Sequence, residues 1–377
     1  MGSLLNIVYY VVPFIVLLGI LVFVHEFGHF LIARMCGVKV TDFSIGFGKQ
    51  LWGFVDKHQT NWKICAIPLG GYCQFLGDAN GASAGGDDTA LKELTEEEKS
   101  QAFAFQNPWK KLAIVLGGPG FNYLFAILLF TGMFMTFGNI TFPPVVGEVM
   151  DDGPAKAAGI LPGDRIVNIN GREIKSFNDI GAEITLSTKS VAKIELLRDG
   201  ETIYVEVPLK TMTVEEDGIK EKRQMIGIKS RTSVELDHER LSPWGALCTA
   251  GSETWRITTG TLRGIKQMIV GDRGTEDLGG IIRIAEMSGD ISRKHAGVEF
   301  LVFMALLSIN LGLINLFPIP VLDGGHVVIF LLEIISRREM NEKLKEALFK
   351  CGFALLIALM VFATWNDFVH LFKRWFV

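Results

Sequence analysis

The sequence predicts a polytopic α-helical membrane protein with four transmembrane helices, a membrane-associated β-hairpin and one small α+β domain. Three observations carry that expectation. Hydrophobic residues make up 49% of the 377 and mean hydropathy is positive, too apolar for an ordinary soluble protein. Four stretches, residues 9–34, 112–137, 300–317 and 351–372, each approach the ~20 apolar residues that cross a bilayer. Between the second and third, from about residue 145 to 209, the chain turns polar with the alternation of strands.

Residues 1–37 hold the first span, in which Ile7 to Val24 contains no charged residue. A basic leader and an A-x-A-like cleavage site are both missing, so the run reads as a retained helix. It ends in Val24-His25-Glu26-Phe27-Gly28-His29, an H-E-x-x-H. Histidines four apart share one helix face, so both imidazoles can reach one Zn²⁺. Glu26 stands beside them without ligating, where it can accept a proton from water. A helix end among lipid headgroups would account for the same three residues as solvated polar groups. The high cost of ionisable groups at membrane depth favours function, and a third ligand from elsewhere decides.

Residues 38–77 read as a hairpin of short strands, broken by glycines and a turn at Asp56–Asn61. Open strand edges are not tolerated against lipid, so the hairpin belongs beside a protein-walled or watery cavity. An exposed edge near Ile64 and Ala66 can pair with an extended substrate by strand addition; a hairpin that merely packs is the alternative. Residues 78–107, Gly/Ala-rich and then acidic, read as a flexible cytoplasmic loop. The second span, residues 108–138, carries Gly117-Gly118-Pro119-Gly120-Phe121-Asn122. Its small residues permit close helix approach, and Asn122 can hydrogen-bond across helices.

Basic residues set the orientation. Arg34, Lys39, Lys110 and Lys111 flank the first connection, and Arg337, Arg338, Lys343, Lys345 and Lys350 fill the one at 327–350. Both connections are expected in the cytoplasm, with the N-terminus and the long central region outside; Lys373 and Arg374 run against the rule. Of the five cysteines only Cys248 then lies outside, so no intramolecular disulfide is expected there. The net charge of -4 gives no sign of nucleic-acid binding.

Within residues 145–209, the run D-G-P-A-K-A-A-G-I-L-P-G-D-R-I-V-N-I-N-G-R (residues 152–172) reads as turn, short helix, Pro-Gly turn, strand and Asn170-Gly171 hairpin turn. The stretch resembles a PDZ domain, whose S-P-A-x-x-A-G-[IL]-x-x-G-D-x-I-x-x-I-N-G pattern it follows over roughly 65 residues. The resemblance implies a groove for peptide ends, serving as a binding site or a steric filter. Residues 210–297 are expected to be a connector, charged and strand-poor to residue 237, then with amphipathic helices, since charges between Trp244 and Met268 argue against a fifth span.

The third span, residues 298–326, contains Asn315, Pro318, Pro320, Asp323 and His326. The prolines remove helical donors, so the helix must open, and freed carbonyls at membrane depth need a protein-lined or hydrated cavity. Asp323 follows on an irregular turn, where its carboxylate can complete a His₂Asp zinc site with one position open. Capping the next helix is its other available role; Asn315 and His326 stay ambiguous. Residues 351–373 form the fourth span.

Taken together, the H-E-x-x-H, the G-x-G hairpin, the G-P-x-x-N second span, the PDZ-like insert and N-x-x-P-x-P-x-L-D-G resemble the bacterial site-2 protease family of intramembrane zinc metalloproteases, across nearly the whole chain. The resemblance implies His25, His29 and Asp323 as zinc ligands, Glu26 as the base and Asn315 as a contact to substrate or oxyanion. It implies hydrolysis within transmembrane segments of pre-trimmed proteins, such as anti-sigma factors or remnant signal peptides. The location it implies is the bacterial inner membrane, with the N-terminus and PDZ-like domain periplasmic. Envelope-stress members carry two tandem PDZ domains, whereas this chain has room for one. Two other functions compete: a membrane-anchored PDZ scaffold, for which Glu26 and Asp323 are superfluous, and a quality-control zinc protease acting on misfolded proteins, whose third ligand is typically a downstream Glu.

Overall fold

The computed structural model describes residues 2–78, 91, 93–138, 143–187, 189–216, 219–230, 241–271, 274, 279–294, 297–338 and 340–376. Helix α1 (Gly2–Met35) leads into strands β1 (Val40–Val55) and β2 (Asn61–Phe75), then α2 (Glu96–Gln101) and α3 (Pro108–Phe137). A strand-rich region follows: β3 (Val146–Val149), α4 (Pro154–Ala157), β4 (Arg165–Ile169), β5 (Arg172–Glu173), α5 (Phe177–Thr185), β6 (Val191–Arg198) and β7 (Glu201–Pro208). It continues through β8 (Lys210–Glu216), β9 (Ile219–Met225) and β10 (Ile228–Ser230). The rest is helical: α6 (Pro243–Val270), α7 (Ile281–Lys294), α8 (Val298–Asn315), α9 (Asp323–Ser336) and α10 (Glu342–Phe376).

Contacts divide the chain into two compact units, one of residues 1–132, 247–258 and 276–373, the other of 133–246, 259–275 and 374–377. Among the described residues, four helical stretches are long and apolar enough to cross a membrane: Val8–Met35, Pro108–Phe137, Val298–Asn315 and Glu342–Phe372. These are the four expected, and α6 is not among them.

In the first unit, α1 and α3 touch backbone to backbone. A Cβ on Gly28 would collide with the Gly117 carbonyl, and one on Gly117 with that of Gly28, so the pair sets the closest approach. Leu17 and Leu21 of α1 pack with Phe303 and Met304 of α8. Phe30 and Ala33 share a second core with Val40, Phe43, Ile114 and Phe330. Helix α7 is separate from the third span and lies against α1, where Tyr10 donates to Asp290 at 2.9 Å. Its first amides, Gly280 and Ile282, donate to the Asp367 carboxylate of α10 at 2.7 and 3.0 Å.

The hairpin curls on itself. Residues 40–45 of β1 pair with 71–75 of β2, while 50–55 pair back onto 61–65. Residues 61–64 also pair with 42–45. Ile64 is therefore bonded on both sides, to Ile45 and Trp52, and the neighbours of Ala66 pair with Gln50 and Phe47. The exposed edge expected at Ile64 is an interior position, while at Ala66 pairing runs along one side only. β1 doubles back around Ile64, a non-local event that alternation does not encode. The outer strand on the side of α1 is residues 71–75. The acidic stretch after it also differs from a loop: Glu96–Gln101 is helical, begun by a capping box between Thr95 and Glu98. Much of residues 79–92 lies outside the described residues.

The second unit is built on an antiparallel sheet of order β5-β4-β6-β7. Its core joins Val146, Ile166, Ile180, Ile194 and Leu196 to Ile226. The short helix at Pro154 and the Asn170-Gly171 turn, both residues at positive φ, fall where expected. The stretch beyond Leu209 is not strand-poor. β8 pairs with β9, and β10 pairs with β3, so the fold begun at residue 145 closes at Ser230 rather than at 209. Charged and polar residues dominate these strands, and an alternation as short as Met212 and Val214 in β8 gives little periodic signal.

Asp164, 1% exposed, accepts from Arg198 Nε and Nη2 at 2.7 Å each and from the Leu161 amide at 2.8 Å. Burial alone would raise its pKa, but these donors hold it below the ordinary carboxylate value. A depressed folded pKa adds stability that is complete above the unfolded value near 3.9 and is lost as pH falls through the folded one. Asp164→Asn should therefore cost about 1.5–3 kcal/mol at neutral pH. Amide exchange across β4 and β6 should accelerate accordingly, with the difference from the unmodified protein shrinking below about pH 4.

Candidate metal centre

Two histidines one helical turn apart and a distant aspartate converge on one point. His25 and His29 project from α1. Helix α8 ends at Asn315 because Pro318 and Pro320 cannot continue its hydrogen bonding, and Asp323 is the first residue of α9. The N-cap position of that helix is Leu322, and no side-chain cap bond is made there. The Asp323 carboxylate faces the imidazoles: Oδ2 is 3.2 Å from His25 Nε2 and 3.5 Å from His29 Nε2. The two Nε2 atoms are 3.3 Å apart. Among the described residues these three form a group whose ligand atoms all lie within 4.8 Å of one another.

The triangle fits zinc. Tetrahedral bonds of about 2.0–2.1 Å put ligand atoms roughly 3.3 Å apart, the spacing of these three. Asp323 Oδ2 is buried and receives no well-aligned hydrogen bond, so a cation supplies the partner it lacks. His29 Nδ1 donates to the Ile114 carbonyl at 2.9 Å, the outer hydrogen bond by which a ligating histidine is oriented.

The surroundings are close-fitting. A Cβ on Gly118 would strike His29 Nε2 and His25 Cε1, so α3 presents bare backbone to the rings. Asn122 Nδ2 lies 3.0 Å from His25 Nδ1 and Asn315 Nδ2 3.4 Å from His25 Nε2. Glu26, half-buried, interacts electrostatically with His25, His29 and Asp323. The outer strand of the hairpin reaches the acid–base group at Gly71, which lies against Glu26 Cγ. His326 packs instead against the rings of Phe330 and Phe349. Sequence reasoning missed the tight fit at Gly118 and the approach of 71–73. Only the Gly-Gly-Pro run hinted at the first.

Residues 13–359 match the model of peptidase family M50. The chain is similar to a protein of Agrobacterium fabrum, provisionally designated a zinc metalloprotease, with 40% identity over 361 residues, 95% of each chain. A Rhizobium meliloti protein with the same designation is 40% identical over 377 residues, 99% of this chain and 100% of its own. Metalloprotease MmpA of Caulobacter vibrioides is 33% identical over 377 residues, 94% of each.

Gly118→Ala tests the fit directly. The added methyl must displace an imidazole, and zinc affinity should fall about 10–100-fold with helical content by circular dichroism unchanged.

Proposed function

The chain belongs to peptidase family M50, the site-2 protease family of zinc metalloproteases, and from that premise we propose that it cuts peptide bonds inside transmembrane segments of proteins already trimmed by another protease. Anti-sigma factors and remnant signal peptides are the substrate types that fit. The observation that carries this reading is the three-donor cluster with Glu26 beside it, on a helix apolar enough to cross a bilayer.

His25, His29 and Asp323 would hold the ion. Zinc bound there supplies the Lewis acidity that makes water a nucleophile source near neutral pH. Glu26 takes the proton released and returns it to the leaving amine, a general acid–base role. Asn315 Nδ2 turns toward the same space and offers a donor to the substrate carbonyl as negative charge develops on it. A helical substrate hides its carbonyls in its own hydrogen bonds and must unwind to be cut. The outer strand at residues 71–73 supports strand addition there, beside Glu26.

The strand-rich part of the second unit, from about residue 145 to 230, acts in this reading as a PDZ-like module that turns away substrates with intact bulky ectodomains. The protein resides in the bacterial inner membrane with its N-terminus and this module in the periplasm, as the Lys and Arg distribution supports.

Glu26→Gln should keep its zinc, measured by metal analysis, and lose at least about 10²-fold in turnover of a transmembrane reporter. Retained turnover would end the base assignment. Replacing residues 145–230 by a short linker should leave cleavage of a trimmed reporter intact. It should also admit a reporter with a bulky periplasmic domain that the intact enzyme refuses. Equal cleavage of both reporters by the intact enzyme would sink the filter.

A further inference from the structure

The two imidazoles of the cluster are backed in unequal ways. His29 Nδ1 faces the Ile114 carbonyl. A carbonyl only accepts, so that ring carries its proton on Nδ1 and keeps Nε2 bare toward the other ligands. His25 Nδ1 faces the side-chain amide of Asn122, whose nitrogen lies 3.0 Å away. With the amide in that orientation, the Asn122 oxygen Oδ1 is buried and has no hydrogen-bond partner. Asn122 is 0% exposed, and its backbone carbonyl is tied to α8 by Ser308 Oγ at 2.8 Å. The residue is therefore held in place, and only its amide plane is free to choose.

The choice decides the tautomer of His25. If the amide nitrogen donates to Nδ1, the imidazole proton sits on Nε2, where it blocks the ring from ligating. If the amide turns by half a rotation, Oδ1 meets an Nδ1 proton and Nε2 is freed for the metal, with Nδ2 taking the place that Oδ1 leaves. Asn122 lies one turn beyond Gly118 on α3, so the helix that makes room for both rings also orients one of them.

We propose that Asn122 is the positioning residue of His25: its Oδ1 accepts from His25 Nδ1–H and fixes the tautomer that presents Nε2 to zinc, as the Ile114 carbonyl does for His29. The inference rests on His25 being a zinc ligand.

The test is zinc affinity of the full-length protein, by competition with a chromophoric chelator, for the unmodified protein, His25→Ala, Asn122→Leu and Asn122→Asp. Cobalt(II) absorption reports the coordination geometry in parallel. A carboxylate at residue 122 can only accept, so Asn122→Asp should bind zinc at least as tightly as the unmodified protein and keep the tetrahedral cobalt spectrum. Asn122→Leu should bind about 10–100-fold more weakly. Loss of affinity in Asn122→Asp would show that the amide donates, and would overturn the proposal even if Asn122→Leu failed to fold. Unchanged affinity in Asn122→Leu would overturn it too. Undiminished zinc binding by His25→Ala would overturn the ligand assignment beneath it; weak binding by His25→Ala alongside either adverse Asn122 result would overturn the positioning role alone.

Discussion

A carboxylate and two imidazoles lie within 3.5 Å of one another, His29 buried and His25 and Asp323 half-buried, in a chain that is apolar around them, an arrangement that cannot be left incomplete. Each group costs free energy to bury unless its charge and hydrogen-bonding capacity are met. Much of the first unit serves that requirement. α1 supplies both histidines from one face, α8 breaks at its prolines so that Asp323 can enter, and α3 approaches without side chains at Gly117 and Gly118. The Ile114 carbonyl satisfies one ring from behind. Among the ligand atoms themselves, Asp323 Oδ2 is buried without a hydrogen-bond partner, and it faces both imidazoles.

The hairpin approaches the cluster from another side. Strand 71–75 packs against α1 through backbone where Gly71 has no side chain, its bare Cα facing Val22 and Glu26. The approach brings the hairpin to the acid–base group without a side chain between them.

How much of this was legible in sequence depends on how local each feature is. The histidine pair was legible because its spacing is one helical turn. Asp323 was legible because two nearby prolines announce an interrupted helix. The four spans follow from length and apolarity alone. The edge at Ile64 was misread because a strand's neighbours are set by a fold-back of β1, not by β2's own pattern. Strands β8 to β10 were missed since charged and polar residues dominate them, and the tie of this stretch to the module runs through Leu209, Ile226 and Ile228 at its core. Asn122 was read correctly as a cross-helix hydrogen-bonding residue, but its partner could not be named until α1 and α3 were side by side.

The cap on α7 ties together two helices far apart in sequence. The opening amides of that helix have their acceptor in Asp367, more than eighty residues later on α10. A helix start has no intrahelical acceptor for its first donors, so one carboxylate of α10 both ends that shortage and fixes where α7 begins. The two helices are thereby coupled through a single side chain, and fraying of either loosens the other.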